Sequence, residues 1–221
     1  METDFEKKGK TGKKFIHLKD EVWEMCDVLF VAQENLRCLS YLHKEENDPD
    51  KNFYKRRSMY FDFTKKMTWR LVVLELCKLF NDTEDFSIRK LLAKLKPGGL
   101  HQGIIPANNI QAWEKVLDGH KDIIKRLKTQ RNKSIAHKDR TGLNHKINGV
   151  SLKQANDLLA FIQNIVKEIY FKVTGTTFMV DSPVNSPAED LDKIICSLAK
   201  ERKASLAPLM DEAKRYGLTN F

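Results

Sequence analysis

The longest regular pattern in the chain is a run of apolar residues spaced three and four apart, from Leu18 through Val22, Met25, Cys26, Leu29, Ala32, Leu36 and Leu39 to Leu42. That spacing stacks side chains on one face of an α-helix, because each residue turns the helix by about 100°. A helix this long with one apolar face needs other helices to cover it. The same period returns downstream. It carries MTWRLVVLELCKLF, apolar almost all round and therefore a core element, then FSIRKLLAKLK, then a helix through Ile110, Trp113, Leu117, Ile124 and Leu127 toward Ala136, and finally a helix from Ser151 to about Val173. The expected fold is an all-α bundle of about five core helices.

Turn residues punctuate this pattern. EENDPD closes the first helix at about His43, since the residue before Pro49 is pushed out of helical geometry. A second long helix is expected from about Phe53 to Phe80, and ProGlyGly at 97–99 ends the short helix before it. Asn108 or Asn109 is expected to cap the helix that follows, and SLKQ at Ser151 reads as a capping box. SPAE from Ser186 has the Ser cap, first-turn Pro and Glu of another helix start. The domain reading is a flexible basic arm over 1–14, a helical domain over 15–175, and a linker with a C-terminal helical extension over 176–221. That extension is read as a helical hairpin over 187–216, and Thr176 to Val180 is the one candidate for an extended piece.

The formal charge is +9, and it is unevenly placed. Between Lys115 and Lys146 there are ten Lys and Arg against three Asp and Glu. Such a field attracts phosphate backbones by Coulomb attraction and counterion release, which makes nucleic acid a natural partner. The plainer alternative is a solvated, Lys-rich helix face. Cys26, Cys38, Cys77 and Cys196 are widely spaced with no CxxC pair, so neither a disulfide framework nor a metal centre is expected. METDFEKKGKTGKK has no apolar core behind its charges and no apolar run reaches membrane-spanning length, so the expected place is the cytoplasm, with no membrane partner.

Inside the basic stretch lies RNKSIAH. Arg131 offers a planar fork of donors suited to phosphate oxygens, Asn132 an amide that can orient a hydroxyl or phosphate, and His137 an imidazole able to give or take a proton near neutral pH. Metal-independent RNA cleavage needs such parts: a base for the ribose 2′-hydroxyl, a fixed cation for the phosphorane, and an acid for the departing 5′-oxygen. On a continuous helix, six residues turn Arg131 and His137 about 120° apart. They share one cleft only if the helix loosens or ends near His137, or if two copies of the chain build the cleft together.

RNKSIAHKD, at the end of the penultimate core helix, resembles the RxxxxxH signature of the HEPN superfamily and is most similar to its abortive-infection U branch. MTWRLVVLELCKLFND followed by SIRKLLAKL is similar to the segment that precedes the motif there, and the resemblance covers about 15–173. It implies a homodimer in which two motifs face one cleft, acting as an endoribonuclease in antiviral defence or as a toxin, with an antitoxin or other defence-system partner. On that resemblance Arg131 binds the phosphate, Asn132 positions substrate, and His137 is the base or acid. No cofactor is implied. In one branch of the superfamily a Tyr two residues after the His is modified by an antitoxin; here that position is Asp139, which disfavours such silencing. The alternative is a non-catalytic HEPN module that binds RNA, a nucleotide or a protein.

Lys133, Lys138 and Arg140 flank the motif and are candidates for gripping RNA phosphates, with plain solvated charge as the alternative. Glu75, in an apolar stretch with Arg70 nearby, is expected to be semi-buried, either in a structural ion pair or as support for Arg131 or His137. Trp23, Trp69 and Trp113 are expected in the core. His17, His43, His101, His120 and His145 lack metal-site spacing. No Gly-rich phosphate loop, nucleophile elbow or HExxH segment appears, against nucleotide-hydrolase, serine-hydrolase and metalloprotease chemistry.

Overall fold

The computed structural model describes residues 4–136, 149–177 and 186–216, with side chains described from Leu18 onward and not at 134–136. Its described residues form eight α-helices and one π-helical turn, with no strand among them. The helices are α1 (Asp4–His43), α2 (Pro49–Arg57), α3 (Met59–Phe80), α4 (Ile88–Leu95), α5 (Ala107–Gly119), α6 (Lys121–Gln130), α7 (Leu152–Thr174) and α8 (Pro187–Arg215). The all-α expectation holds. None of the described helices is long and apolar enough to cross a membrane.

The chain divides into two compact units, Met1–Leu36 with Arg70–Pro183, and Arg37–Trp69 with Val184–Phe221. In the first unit the apolar face of α1 is fully buried at Leu18, Val22, Met25, Leu29 and Ala32, as are Val72, Val73, Leu76 and Cys77 on α3. Helix α4 buries Ile88, Leu91, Leu92 and Leu95, and α7 buries a stripe from Ala155 to Tyr170. Polar bonds fix how these helices meet. Gln163 of α7 donates to Gln33 of α1 at 2.9 Å, Lys94 of α4 grips both carboxylate oxygens of Glu21 at 2.8 Å, and Asn109 of α5 donates to Glu168 of α7 at 3.0 Å. Gly99 and Gly175 are required by geometry: a Cβ on Gly99 would overlap the Lys94 carbonyl, and Gly175 ends α7 at φ 72°.

The second unit has a small apolar centre of Leu42, Phe61 and Ile195, with Tyr41, Tyr54 and Leu191 packed around it. Ionic and aromatic contacts add to it. Tyr41 donates to Asp192 at 2.8 Å, and Lys51 reaches the same carboxylate at 3.3 Å. The Lys55 ammonium, 1 % exposed, lies 2.7 Å from Glu46 and 3.8 Å above the Tyr41 ring. Arg202 of α8 pairs with Asp50 at 3.1 Å and stacks 3.7 Å over Phe53.

Several boundaries differ from those expected, each for a local reason. The segment read as an arm is helical from Asp4. The second long helix is two, because Ser58 is extended while its carbonyl already accepts from Asp62. The helix toward Ala136 is also two, parting at Gly119 and His120, where φ −90° and ψ 6° leave helical geometry. Asn108 and Asn109 do not cap it. Pro106 holds that position, its carbonyl accepting from Asn109 and Ile110, and the Asn109 side chain turns to Glu168 instead.

The C-terminal hairpin is one continuous helix, α8, with Pro208 inside it. Proline leaves a carbonyl one turn back without its helical donor, and on this exposed stretch water can supply one. The helix belongs with Arg37–Trp69 and not to an appendage of its own. The two SLKQ and SPAE starts are as expected: Ser151 and Gln154 form a reciprocal capping box, and Ser186 accepts from the Ala188 amide. The extended piece expected at Thr176 to Val180 lies largely outside the described residues; 176 and 177 are not strand. Trp23 is not a core residue. It is 54 % exposed and rests against Tyr170 with ring centroids 6.2 Å apart, because it sits at the edge of the α1 stripe and not on it.

Candidate functional site

Helix α6 is amphipathic: Ile124 and Leu127 are buried, while Lys121, Lys125, Lys128 and Asn132 recur at three- and four-residue intervals on the polar side. The α-helix stops at Gln130, and Arg131–Ala136 continue as a single π-helical turn. A π-turn replaces four-residue hydrogen bonding with five-residue bonding, so the helix widens at the motif. Loosening is one of the three ways considered for Arg131 and His137 to share a cleft. His137 itself lies outside the described residues, as do Lys138 and Arg140. The chain is described again from Gly149, whose carbonyl accepts from Arg126 at 3.2 Å, while Val150 donates to Gln130 at 3.0 Å. Both described flanks of that interval therefore adjoin the end of α6.

Arg131 is three-quarters buried and held on two sides. Its Nε donates to the Asn132 side-chain oxygen at 3.0 Å, and one terminal nitrogen donates to Glu84 Oε1 at 3.2 Å. With its oxygen engaged, the Asn132 amide keeps its Nδ2 to donate. Glu84 is in turn set by the turn between α3 and α4, where Asn81 Nδ2 donates to Thr83 at 2.6 Å and to Glu84 at 3.3 Å, and the Glu84 amide donates to the Asn81 carbonyl at 3.0 Å. The turn NDTED thus anchors the motif arginine. Lys133 is exposed on the π-turn.

Glu75 forms a structural ion pair, one of the two roles expected for it, and does not touch Arg131. Both of its oxygens accept from Lys78 on its own helix, at 2.7 and 2.8 Å, and Glu84 is the carboxylate at Arg131. The apolar run around Glu75 carries a burial signal in the sequence, whereas Glu84 stands in a polar turn that carries none. The nearby Cys77 is deep in the core, and burial pushes its thiol up to about 11 even though Arg131 and Lys128 pull the other way. It is therefore a packed side chain and not a nucleophile.

Beside Asn132 opens a groove of about 440 Å3 lined by the polar face of α6 together with Asp82, Arg89 and Asp118. Arg89 donates to Asp118 at 2.8 Å and lies 3.9 Å from Asp82, and Lys128 is also 3.9 Å from Asp82. The Arg89 hydrogen bond holds the Asp118 carboxyl below the usual carboxylate range. Neither Arg89 nor the lysines of α6 had been singled out in the sequence, although the i, i+4, i+7 recurrence of Lys121, Lys125 and Lys128 is visible there. Among the described residues, no cluster of three His, Cys, Asp or Glu side chains could hold a metal ion.

No curated protein and no solved structure matches this chain. A family model does: HEPN_AbiU2, described as AbiU2, matches residues 12–194, from within α1 to the start of α8. With a helical fold throughout its described part and RNKSIAH at the end of α6, the chain belongs to the AbiU2 family of HEPN domains, an abortive-infection family.

Proposed function

We propose that this HEPN domain is a metal-independent endoribonuclease of a prokaryotic antiviral or toxin system, working as a homodimer whose cleft is completed by the second copy. One observation carries the reading: Arg131 is fixed by Glu84 and Asn132 at a widened helical turn, next to a basic groove. A guanidinium with a fixed position stabilises phosphorane charge with little reorganisation.

In the reaction, a base removes the 2′-hydroxyl proton, O2′ bonds to phosphorus, and the P–O5′ bond breaks as an acid protonates the departing oxygen. The products are a 2′,3′-cyclic phosphate, which water can open to a 3′-phosphate, and a 5′-hydroxyl. Arg131 stabilises the equatorial oxygens, the Asn132 Nδ2 orients the phosphate or the ribose, and His137 of the two copies supplies base and acid. Lys133, Lys138 and Arg140 attract the backbone. A phosphate entering the site takes the Arg131 N–H groups that Glu84 and Asn132 leave open, while those two contacts keep the guanidinium aimed.

The test is RNA cleavage by Arg131→Ala and His137→Ala, with folding checked by circular dichroism and assembly by light scattering. Each is expected to lose at least about 100-fold in rate while remaining folded and dimeric. Wild-type rates in either variant would end the catalytic reading.

The Glu84 ion pair also favours a second reading, in which Arg131 is a structural cation and the domain binds RNA, a nucleotide or a protein without turnover. Salt-sensitive RNA binding by wild type with no product on a denaturing gel would establish that reading in place of the first.

A further inference from the structure

We infer that the groove beside Asn132 is a subsite for one unpaired nucleotide of a single-stranded RNA, with the lysines of α6 as its phosphate track. The inference rests on the RNA-directed reading of the motif and specifies which form of RNA the site takes.

Three features of the groove lead there. The first is its charge arrangement. Of its four cations, Arg89 is occupied by Asp118 and Asp82, and Lys128 lies 3.9 Å from Asp82. Among the described residues Lys121 and Lys125 make no ion pair, and both are exposed on the groove wall. At about 1.5 Å of rise per residue, Lys121, Lys125 and Lys128 mark out a line of roughly 10 Å that continues to Asn132. It is a line of donors leading to the motif, suited to successive phosphates of one strand.

The second feature is the pair of carboxylates. Asp82 and Asp118 would repel a compact polyanion such as free triphosphate. A nucleotide tolerates them, because its base presents amino and imino donors that a carboxylate can accept while its phosphates stay on the lysines. The third is size. About 440 Å3 suits one base with its sugar and lies within the usual range of small-ligand sites. A paired base cannot enter such a groove without leaving its helix, so an A-form duplex meets only the rim.

The experiment uses the full chain carrying His137→Ala, to keep RNA intact, and a fluorescein-labelled 12-nucleotide single strand, read by anisotropy across a salt series. Lys121→Ala/Lys125→Ala is expected to weaken binding at least tenfold and to flatten the log K against log salt slope by about 1.4, from two lost phosphate contacts at 0.7 each. Lys153→Ala, an exposed lysine on α7, is the control and should leave both unchanged. The same sequence as a blunt duplex should bind at least tenfold more weakly than the single strand, and excess inorganic triphosphate should not displace the single strand.

Equal binding by the double variant and its parent overturns the inference, as does equal loss in the Lys153→Ala control. Duplex affinity equal to single-strand affinity, displacement by triphosphate, or absence of any RNA binding also overturns it. Cleavage by wild type is measured separately. Groove-dependent binding without cleavage leaves this inference standing and removes the nuclease reading; cleavage with a groove-independent affinity does the reverse.

Discussion

The charged groups around α2 and those along the polar face of α6 are used in opposite ways. In Arg37–Trp69 with Val184–Phe221, ionic groups close on one another: Lys55 is buried against Glu46 and the Tyr41 ring, and Asp192 takes both Tyr41 and Lys51. In the unit with the motif, the cations on the polar face of α6 stand along an open groove, and Arg131 is held by one carboxylate and one amide. Charges that satisfy each other stabilise a fold, while charges left along a groove are available to a ligand. Composition registers the two alike, as an excess of Lys and Arg.

This contrast can be broken by substitution. The largest effect is expected at the motif, where Arg131→Ala should slow RNA cleavage by about 100-fold to 10,000-fold with little change in thermal stability. A parallel drop in stability would mean that Arg131 belongs with the structural charges. Next is Lys55→Met, which leaves Glu46 facing a partly buried site without its cation and should cost about 3 kcal/mol in urea unfolding, with no effect on RNA affinity. Unchanged stability would show that the buried pair contributes nothing net.

Smaller effects sharpen the same distinction. Glu84→Ala should slow cleavage about tenfold at saturating RNA, since Arg131 loses the group that aims it, and Glu84→Gln, which keeps an acceptor, should recover most of the rate. No recovery in the Gln variant would assign the effect to charge and not to aim. The smallest effect concerns acid. The Tyr41 hydrogen bond and then Lys51 hold the Asp192 carboxyl below its unfolded value of about 3.9, so its contribution is complete above that pH and is lost as pH falls through the lower folded value. Asp192 is nearly half exposed, so the contribution is under about 1 kcal/mol. Unfolding monitored between pH 4 and pH 2 should be less steep in Asp192→Asn than in wild type.

Most of the fold was legible because helix period and caps are local. The α1 stripe, the Ser151 capping box and the Ser186 start are all where their spacing places them. What escaped depends on tertiary contacts. Trp23 faces outward although it lies between Val22 and Met25 of the apolar stripe, Asn109 turns to Glu168 instead of capping, and α8 passes through Pro208 on an exposed stretch that tolerates the lost bond. At the site, Arg131 and Asn132 are marked by their residue types, and the π-turn at 131–136 is a loosening of the kind considered for their spacing to His137, which lies outside the described residues. Glu84 was not legible: it is forty-seven residues from Arg131 in the chain, and only folding brings the two to 3.2 Å.

The most direct measurement of the central claim is the end chemistry of an RNA single strand incubated with the full chain in the presence of a chelator. Metal-independent cleavage at Arg131 gives fragments with 2′,3′-cyclic phosphate or 3′-phosphate and 5′-hydroxyl ends, absent when Arg131→Ala replaces wild type. Intact RNA with wild type, 3′-hydroxyl and 5′-phosphate ends, or the same fragments from Arg131→Ala would contradict it.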